Sequence, residues 1–126
     1  MMPDATPLSP PDASWQLICL CADWCGTCRE WRPQLAQEAT RHPSVRFSWV
    51  DIEDQSDAMG DVDVETFPTL LIAQGPTVRF LGPVLPSIGS ISRLLESLRE
   101  DPAAGAVPAQ AQALLARLVA DGLPPV

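Results

Sequence analysis

The chain has 126 residues, 46% hydrophobic and 19% charged. That is enough for one domain with its own core, and too apolar for a disordered chain. Its 16 acids outnumber 8 bases, every base is arginine, and the net charge of −8 argues against nucleic acid or an anionic membrane as partner, since both require a basic footprint. All four cysteines lie between Cys19 and Cys28. A secreted scaffold spreads its cysteines to staple distant loops. These are clustered, the N-terminal residues lack the basic and apolar segments of a signal peptide, and no apolar run reaches membrane-spanning length. The reading is redox or metal chemistry in the reducing cytoplasm.

Residues 1–14 are proline-rich and read as a flexible tail. Trp15–Cys21 (WQLICLC) is short, apolar and bounded by turn-type residues, which predicts a buried strand. A helix is expected from Trp24–Cys25 to about Thr40, with Trp31, Leu35 and Ala39 on one stripe, Pro33 kinking it and His42-Pro43 ending it. Val45–Val50 alternates as a second strand. Residues 51–66 form an acidic stretch, read as loop with a short helix. Thr69–Ala73 and Thr77–Leu81 form a hairpin about Gly75-Pro76. Ser87 is the expected N-cap of a helix to about Arg99, with Ile88, Ile91, Leu94, Leu95 and Leu98 as its apolar stripe. A Pro/Ala/Gly linker begins at Asp101, and Ala109–Ala120 is a short amphipathic helix with Leu114, Leu115, Leu118 and Val119 on one side.

Trp24-Cys25-Gly26-Thr27-Cys28 stands where the first strand meets the first helix. The first cysteine falls at the helix N-terminus, where unpaired backbone N–H groups and the helix dipole favour a thiolate. A thiolate is the attacking species in thiol–disulfide exchange. The second cysteine lies one turn further in, close enough to attack a mixed disulfide and release the product.

With these features the chain resembles the thioredoxin family. WCGTC is similar to that family's WCGPC, Arg29 stands at its usual lysine, and Pro33 at its helix-kinking proline. Thr66-Phe67-Pro68-Thr69 resembles its cis-proline loop, and Gly82 the glycine after its hairpin. The resemblance covers about residues 15–100. It implies an α/β fold with a central four-stranded mixed sheet flanked by helices, from which this chain departs by lacking the family's usual N-terminal strand and helix and by carrying an extra short C-terminal helix in segment 101–126. It implies Cys25 as nucleophile and Cys28 as resolving thiol. Trp24, Gly26, Thr27, Phe67 and Pro68 would form the substrate groove, with the Phe67 backbone pairing to an extended substrate segment.

Four departures stand out. Cys19 occupies the position of the family's buried aspartate, and Trp49 that of the lysine tuning it, so water or Cys19 itself is left to handle protons. Cys21 replaces an aromatic residue. Thr27 replaces the proline inside the motif, which points to a more oxidising couple. Cys19 and Cys21 are two apart on a strand and share a face. They read as small buried apolar side chains, as an auxiliary pair able to form a second disulfide or exchange with the CGTC pair, or as half of a four-sulfur metal or iron–sulfur site. The C-x-C-x3-C-x2-C spacing suits that last arrangement poorly.

The function read from the resemblance is thiol–disulfide oxidoreduction on protein disulfides, with no cofactor beyond the Cys25–Cys28 dithiol and with a reductase or thiol donor to recharge it, by a monomer. The alternatives are a thioredoxin-fold binding module with little turnover, and the metal binder. The short N-terminal segment leaves the Val45–Val50 strand as an expected exposed edge. The C-terminal helix either docks on the sheet or is solvated. Asp51, Glu53, Asp54, Asp57, Asp61, Asp63 and Glu65 read as a solvated surface, because they lack the D-x-D-x-D-G calcium-loop pattern. His42 lies far from the motif in sequence.

Overall fold

In the computed structural model, which describes residues 15–62, 64–101 and 107–126, the central strand is β1, Trp15–Cys21. β2 (Val45–Asp51) pairs with it in parallel and β3 (Thr69–Gln74) antiparallel. Helices cover both sheet faces, so β1 has almost no solvent side, and only Gln16 is partly exposed. That is why WQLICLC is a near-continuous apolar run rather than an alternation. β4 (Thr77–Pro83) pairs antiparallel with β3 after a turn in which Gly75 takes φ +58°. The order β2–β1–β3–β4 makes a four-stranded mixed sheet.

Strand parity sorts the core into two layers. One face carries Leu17, Cys19, Cys21, Phe47, Trp49, Leu70 and Ile72 under two helices. These are α1 (Gly26–Ala39), which buries Cys28, Trp31 and Leu35, and α3 (Ile88–Glu100), which buries Ile91, Leu95 and Leu98. The opposite face carries Ile18, Leu20, Val50, Leu71, Ala73, Val78 and Leu81. It is covered by the single turn α2 (Ser56–Met59) and by α4 (Ala111–Asp121). Pro33 sits inside α1 without ending it. Ser87 caps α3 by accepting from the Ser90 N–H, and Ile88 and Leu94 are only partly buried at the edge of the stripe.

The question left open for the C-terminal helix has a definite answer: α4 is docked. Ala111, Leu114, Leu115 and Leu118 are buried against the sheet and α2. Arg117 donates to the Ala58 and Met59 carbonyls at 2.6 and 3.1 Å at the end of α2, and the Met59 carbonyl also accepts from the Val62 N–H. Gln112 accepts from the Val78 N–H and donates to the Pro76 carbonyl. Val119 departs from the expected stripe and is 52% exposed, while Ala111 takes the buried place.

The β2 edge also differs from expectation. The last residues of the chain lie along it: the Trp49 N–H donates to the Pro124 carbonyl at 2.8 Å and Ser48 bridges Pro125 in antiparallel sense. Arg32 of α1 donates to the Pro125 carbonyl at 3.2 Å. Prolines suit this place because the edge uses their carbonyls and asks for no N–H. The expected tail over 1–14, the absence of a strand and helix before Trp15, and the linker at 102–106 lie outside the described residues.

Candidate active site

β1 ends at Cys21, and the chain turns through Ala22-Asp23-Trp24 into α1, whose N-cap is Cys25. The Cys25 N–H donates to the Ala22 carbonyl at 3.0 Å and the Arg29 N–H to the Cys25 carbonyl at 3.1 Å, so a tight turn delivers the cysteine to the first turn of the helix. Its side chain makes no capping hydrogen bond. Cys25 is half-buried with a free thiol. Arg29, one turn on, donates to the Asp23 carbonyl at 2.6 Å and braces the same turn.

The bridge differs from the one expected. Cys28 is joined to Cys21, not to Cys25, across a Cα–Cα distance of 5.9 Å, a normal span for a disulfide. The placement explains the partner. Cys28 faces inward from α1 and Cys21 rises from the strand end beneath it, both fully buried in one cluster. Cys25 lies at the helix mouth and meets solvent. Cys21 is therefore half of a disulfide rather than an inert apolar filler. A four-thiolate metal site needs four free sulfurs, and two of these are bonded to each other.

Cys19 is buried and free. It lies in register between Trp49 of β2 and Leu70 of β3. Burial pushes its thiol up to about 12, with the Trp31 indole and the Arg32 charge pulling the other way by less. A thiol so placed keeps its proton at neutral pH. Trp49 is buried, its indole N–H has no hydrogen-bond partner, and the Arg32 guanidinium lies 4.9 Å from its ring centroid.

Trp24 and Phe67 form the apolar wall beside the motif. Their rings meet edge-to-face at 5.5 Å, and Trp24 is 61% exposed. The Phe67–Pro68 peptide bond is cis. Thr69, just beyond, donates through its hydroxyl to the Thr66 carbonyl at 2.7 Å and closes that loop. Gly26 and Thr27 occupy the exposed first turn of α1 between the two motif cysteines, and a Cβ on Gly26 would meet nothing within 4 Å. Trp24 stands in the turn before α1, Gly26 and Thr27 in its first turn, and Phe67 and Pro68 in the loop before β3.

Two acids expected to be merely solvated hold this site. Asp51 accepts from the backbone N–H groups of Asp23 (2.8 Å), Glu53 (2.8 Å) and Asp54 (3.2 Å). Burial raises its carboxyl pKa, but those donors outweigh burial and leave it below the ordinary value. The Glu53 carboxylate accepts from the Trp24 Nε1–H at 2.7 Å. The acidic loop therefore clasps the turn that carries the motif. Carboxylate oxygens of Asp23, Asp51 and Asp54 lie within 4.8 Å of one another, but those of Asp51 are already engaged by backbone donors. Sequence reading misses the clasp because acids in a run normally face water. The one available hint was position: Asp51 ends the strand beside the one that ends at the motif.

An α1–β1–β2 layer with a free cysteine at the helix mouth, a second cysteine one turn in, and an X-cis-Pro loop alongside defines a thioredoxin-fold protein. The thioredoxin family model matches residues 11–81, more than half the chain, and the protein belongs to that family. Among its relatives, a thioredoxin H-type of Fagopyrum esculentum is 37% identical over 51 residues, which is 40% of this chain and 44% of that one. A putative thioredoxin 2 of Streptomyces coelicolor is 31% identical over 72 residues, 57% of this chain and 54% of that one. The chain thus spans about half the length of the curated relatives it matches. Among solved structures, oxidized mitochondrial thioredoxin 3 of Saccharomyces cerevisiae superposes with TM-score 0.58 at 21% identity, covering 70% of this chain and 82% of that one. That likeness supports the fold. Among the described residues no helix is long and apolar enough to cross a membrane.

Proposed function

We propose that the protein is a thiol–disulfide oxidoreductase acting on disulfides of other proteins, with no cofactor beyond its own cysteines. Cys25 is the nucleophile. Its thiolate attacks a substrate sulfur, forms a mixed disulfide, and releases the other substrate sulfur as a thiolate that takes up a proton. Cys28 then attacks the Cys25 sulfur, freeing the second substrate thiol and leaving an oxidised site. A reductase or small thiol returns it to the dithiol. The observation that carries this reading is the free, half-exposed Cys25 thiol at the N-cap of α1, with Cys28 three residues on and already in a disulfide.

The Trp24–Phe67 wall and the backbone beside Pro68 suit an extended substrate segment, which would pair by strand addition. The net charge of −8 favours basic partner surfaces and disfavours nucleic acid and anionic membrane. A monomer in the reducing cytoplasm completes the reading.

The second reading, a binding module with little turnover, draws on one observation: Cys19, at the position where the family keeps a buried carboxylic acid, is a fully buried free thiol. Insulin reduction by dithiothreitol, followed by turbidity, separates the two. The expected result is acceleration by wild type, with Cys25→Ser at the uncatalysed background and Cys28→Ser trapped as a mixed disulfide. Wild type at background would overturn the enzyme in favour of the binding module.

A further inference from the structure

Cys28 can reach two sulfurs. Cys25 lies at the N-cap of α1 and Cys28 at its third helical position, the spacing at which an N-cap side chain lies over the residue three further on. Cys21 lies at the end of β1 and is the sulfur to which Cys28 is bonded. The two possible partners differ in access: Cys21 is fully buried, whereas Cys25 is half-exposed. Cys19, on the same strand face, is buried too but remains an unpaired thiol.

We propose that Cys21 is a third member of the redox site, taking over Cys28 from Cys25 so that the oxidised state is held as a buried Cys21–Cys28 disulfide while Cys25 returns as an accessible thiol. The inference rests on Cys25 being the entry point, as in the function proposed above. A disulfide substrate first oxidises Cys25 and Cys28 to a bridge and leaves as two thiols. Cys21 Sγ, giving up its proton as it does so, then attacks Cys28 Sγ. The Cys21–Cys28 bond forms, the Cys25–Cys28 bond breaks, and its electron pair leaves on Cys25 Sγ. The proton lost by Cys21 is matched by one gained at Cys25 from solvent. This second step is an exchange, with no net oxidation and no further reactant. In reverse, Cys25 attacks Cys28 and brings the bridge back to the surface. Because neither sulfur of the buried bridge meets solvent and Cys19 is buried with them, Cys25 is the one described thiol that meets solvent and through which an outside disulfide can form or open the bridge.

The test uses the full chain, fully reduced and then oxidised by oxidised glutathione, a small disulfide that needs no protein-substrate groove. Samples are acid-quenched at intervals, denatured, alkylated with N-ethylmaleimide and cleaved before aspartate. Cleavage at Asp23 separates Cys19 and Cys21, in peptide 12–22, from Cys25 and Cys28, in peptide 23–50. A Cys21–Cys28 bridge joins the two peptides, and a Cys25–Cys28 bridge does not. Wild type is expected to give the joined pair with Cys25 alkylated. Cys21→Ala is expected to lose the joined pair entirely and Cys19→Ala to keep it. Cys25→Ser is expected to form it at least tenfold more slowly.

Separate peptides from oxidised wild type, with Cys21 alkylated, overturn the proposal. So does a Cys25→Ser variant that joins the peptides as fast as wild type, since the bridge would then be a structural clamp that forms without the entry thiol. Insulin reduction is a separate readout. A joined pair formed through Cys25 in a protein that does not reduce insulin supports the third cysteine and sinks only the protein-substrate reading. Normal insulin reduction with separate peptides does the reverse.

Discussion

Under α1 and α3 the sheet presents Cys19 and Cys21 among Trp15, Trp31, Trp49 and Phe47; under α2 and α4 it presents aliphatic residues, with no aromatic ring and no sulfur but that of Met59. The first face is covered by a helix that follows its strand directly and carries the cysteine motif. The second is covered by a four-residue turn and by a helix from the far end of the chain. The cysteine motif is thus placed on one side of the sheet, while packed core lies on both. Each side should fail in its own way when damaged.

The largest expected effect is on the aliphatic side. Removing residues 107–126 strips three fully or almost fully buried leucines, Leu114, Leu115 and Leu118. At about 2–5 kcal/mol for each buried leucine, the loss is on the order of the whole stability of a domain this size. Urea unfolding followed by circular dichroism should show no cooperative transition for the truncated chain. The single change Leu118→Ala should cost about 2–5 kcal/mol and leave insulin reduction per folded molecule unchanged. A fall in activity while the protein stays folded would show that the two faces are coupled.

A smaller effect is expected on the other side. Trp24→Ala removes the edge-to-face pair with Phe67 and the hydrogen bond to Glu53. The aromatic pair is worth about 0.5–1.5 kcal/mol, so folding stability in urea should fall by about that amount, and the KM for a protein disulfide should rise as the exposed indole is lost from the groove wall. A change in the urea midpoint without one in KM would mean that Trp24 supports the fold rather than the groove.

Acid should act through Glu38. This nearly buried carboxylate on α1 meets His42 Nε2 and the Ser92 hydroxyl, both at 2.8 Å. Burial raises its pKa, but the hydrogen bonds from His42 and Ser92 outweigh burial and leave it below the ordinary value of 4.5. Its contribution is therefore complete above the unfolded-state value and is lost as pH falls through the lower folded one. Urea midpoints measured from pH 7 down to pH 3 should fall less steeply for Glu38→Gln than for wild type. Equal slopes would remove Glu38 from the account. The smallest change is in labelling: at pH 8 iodoacetamide should modify Cys25 in the native protein and reach Cys19 only after denaturation. Native labelling of Cys19 would contradict its burial.

The strands were legible because each is a short apolar or β-rich run between turn residues, and Trp15–Cys21 emerges with the bounds expected. The α3 cap was legible in Ser87, and the motif cysteines in their place between strand and helix. The Cys21–Cys28 bond was not, since it depends on how far the strand end rises under the helix, which residue spacing leaves open. The clasp made by Asp51 and Glu53 was hidden by its setting in an acidic run. The pairing of residues 124–125 with β2 was hidden by their identity, because two prolines read as a break in pairing, although their carbonyls remain good acceptors.

Arg32 sits four residues after Cys28 on α1, lies over the Trp49 ring, and donates to the Pro125 carbonyl. The helix that carries the cysteine motif is thereby also the helix that holds Pro125. Trp49 is a shared footing, since its ring takes the Arg32 charge and its backbone N–H holds Pro124. Losing the Pro124 and Pro125 contacts would remove one restraint on α1 and uncover the β2 edge together. Mechanically, residues 124–125 and α1 share one footing at Trp49.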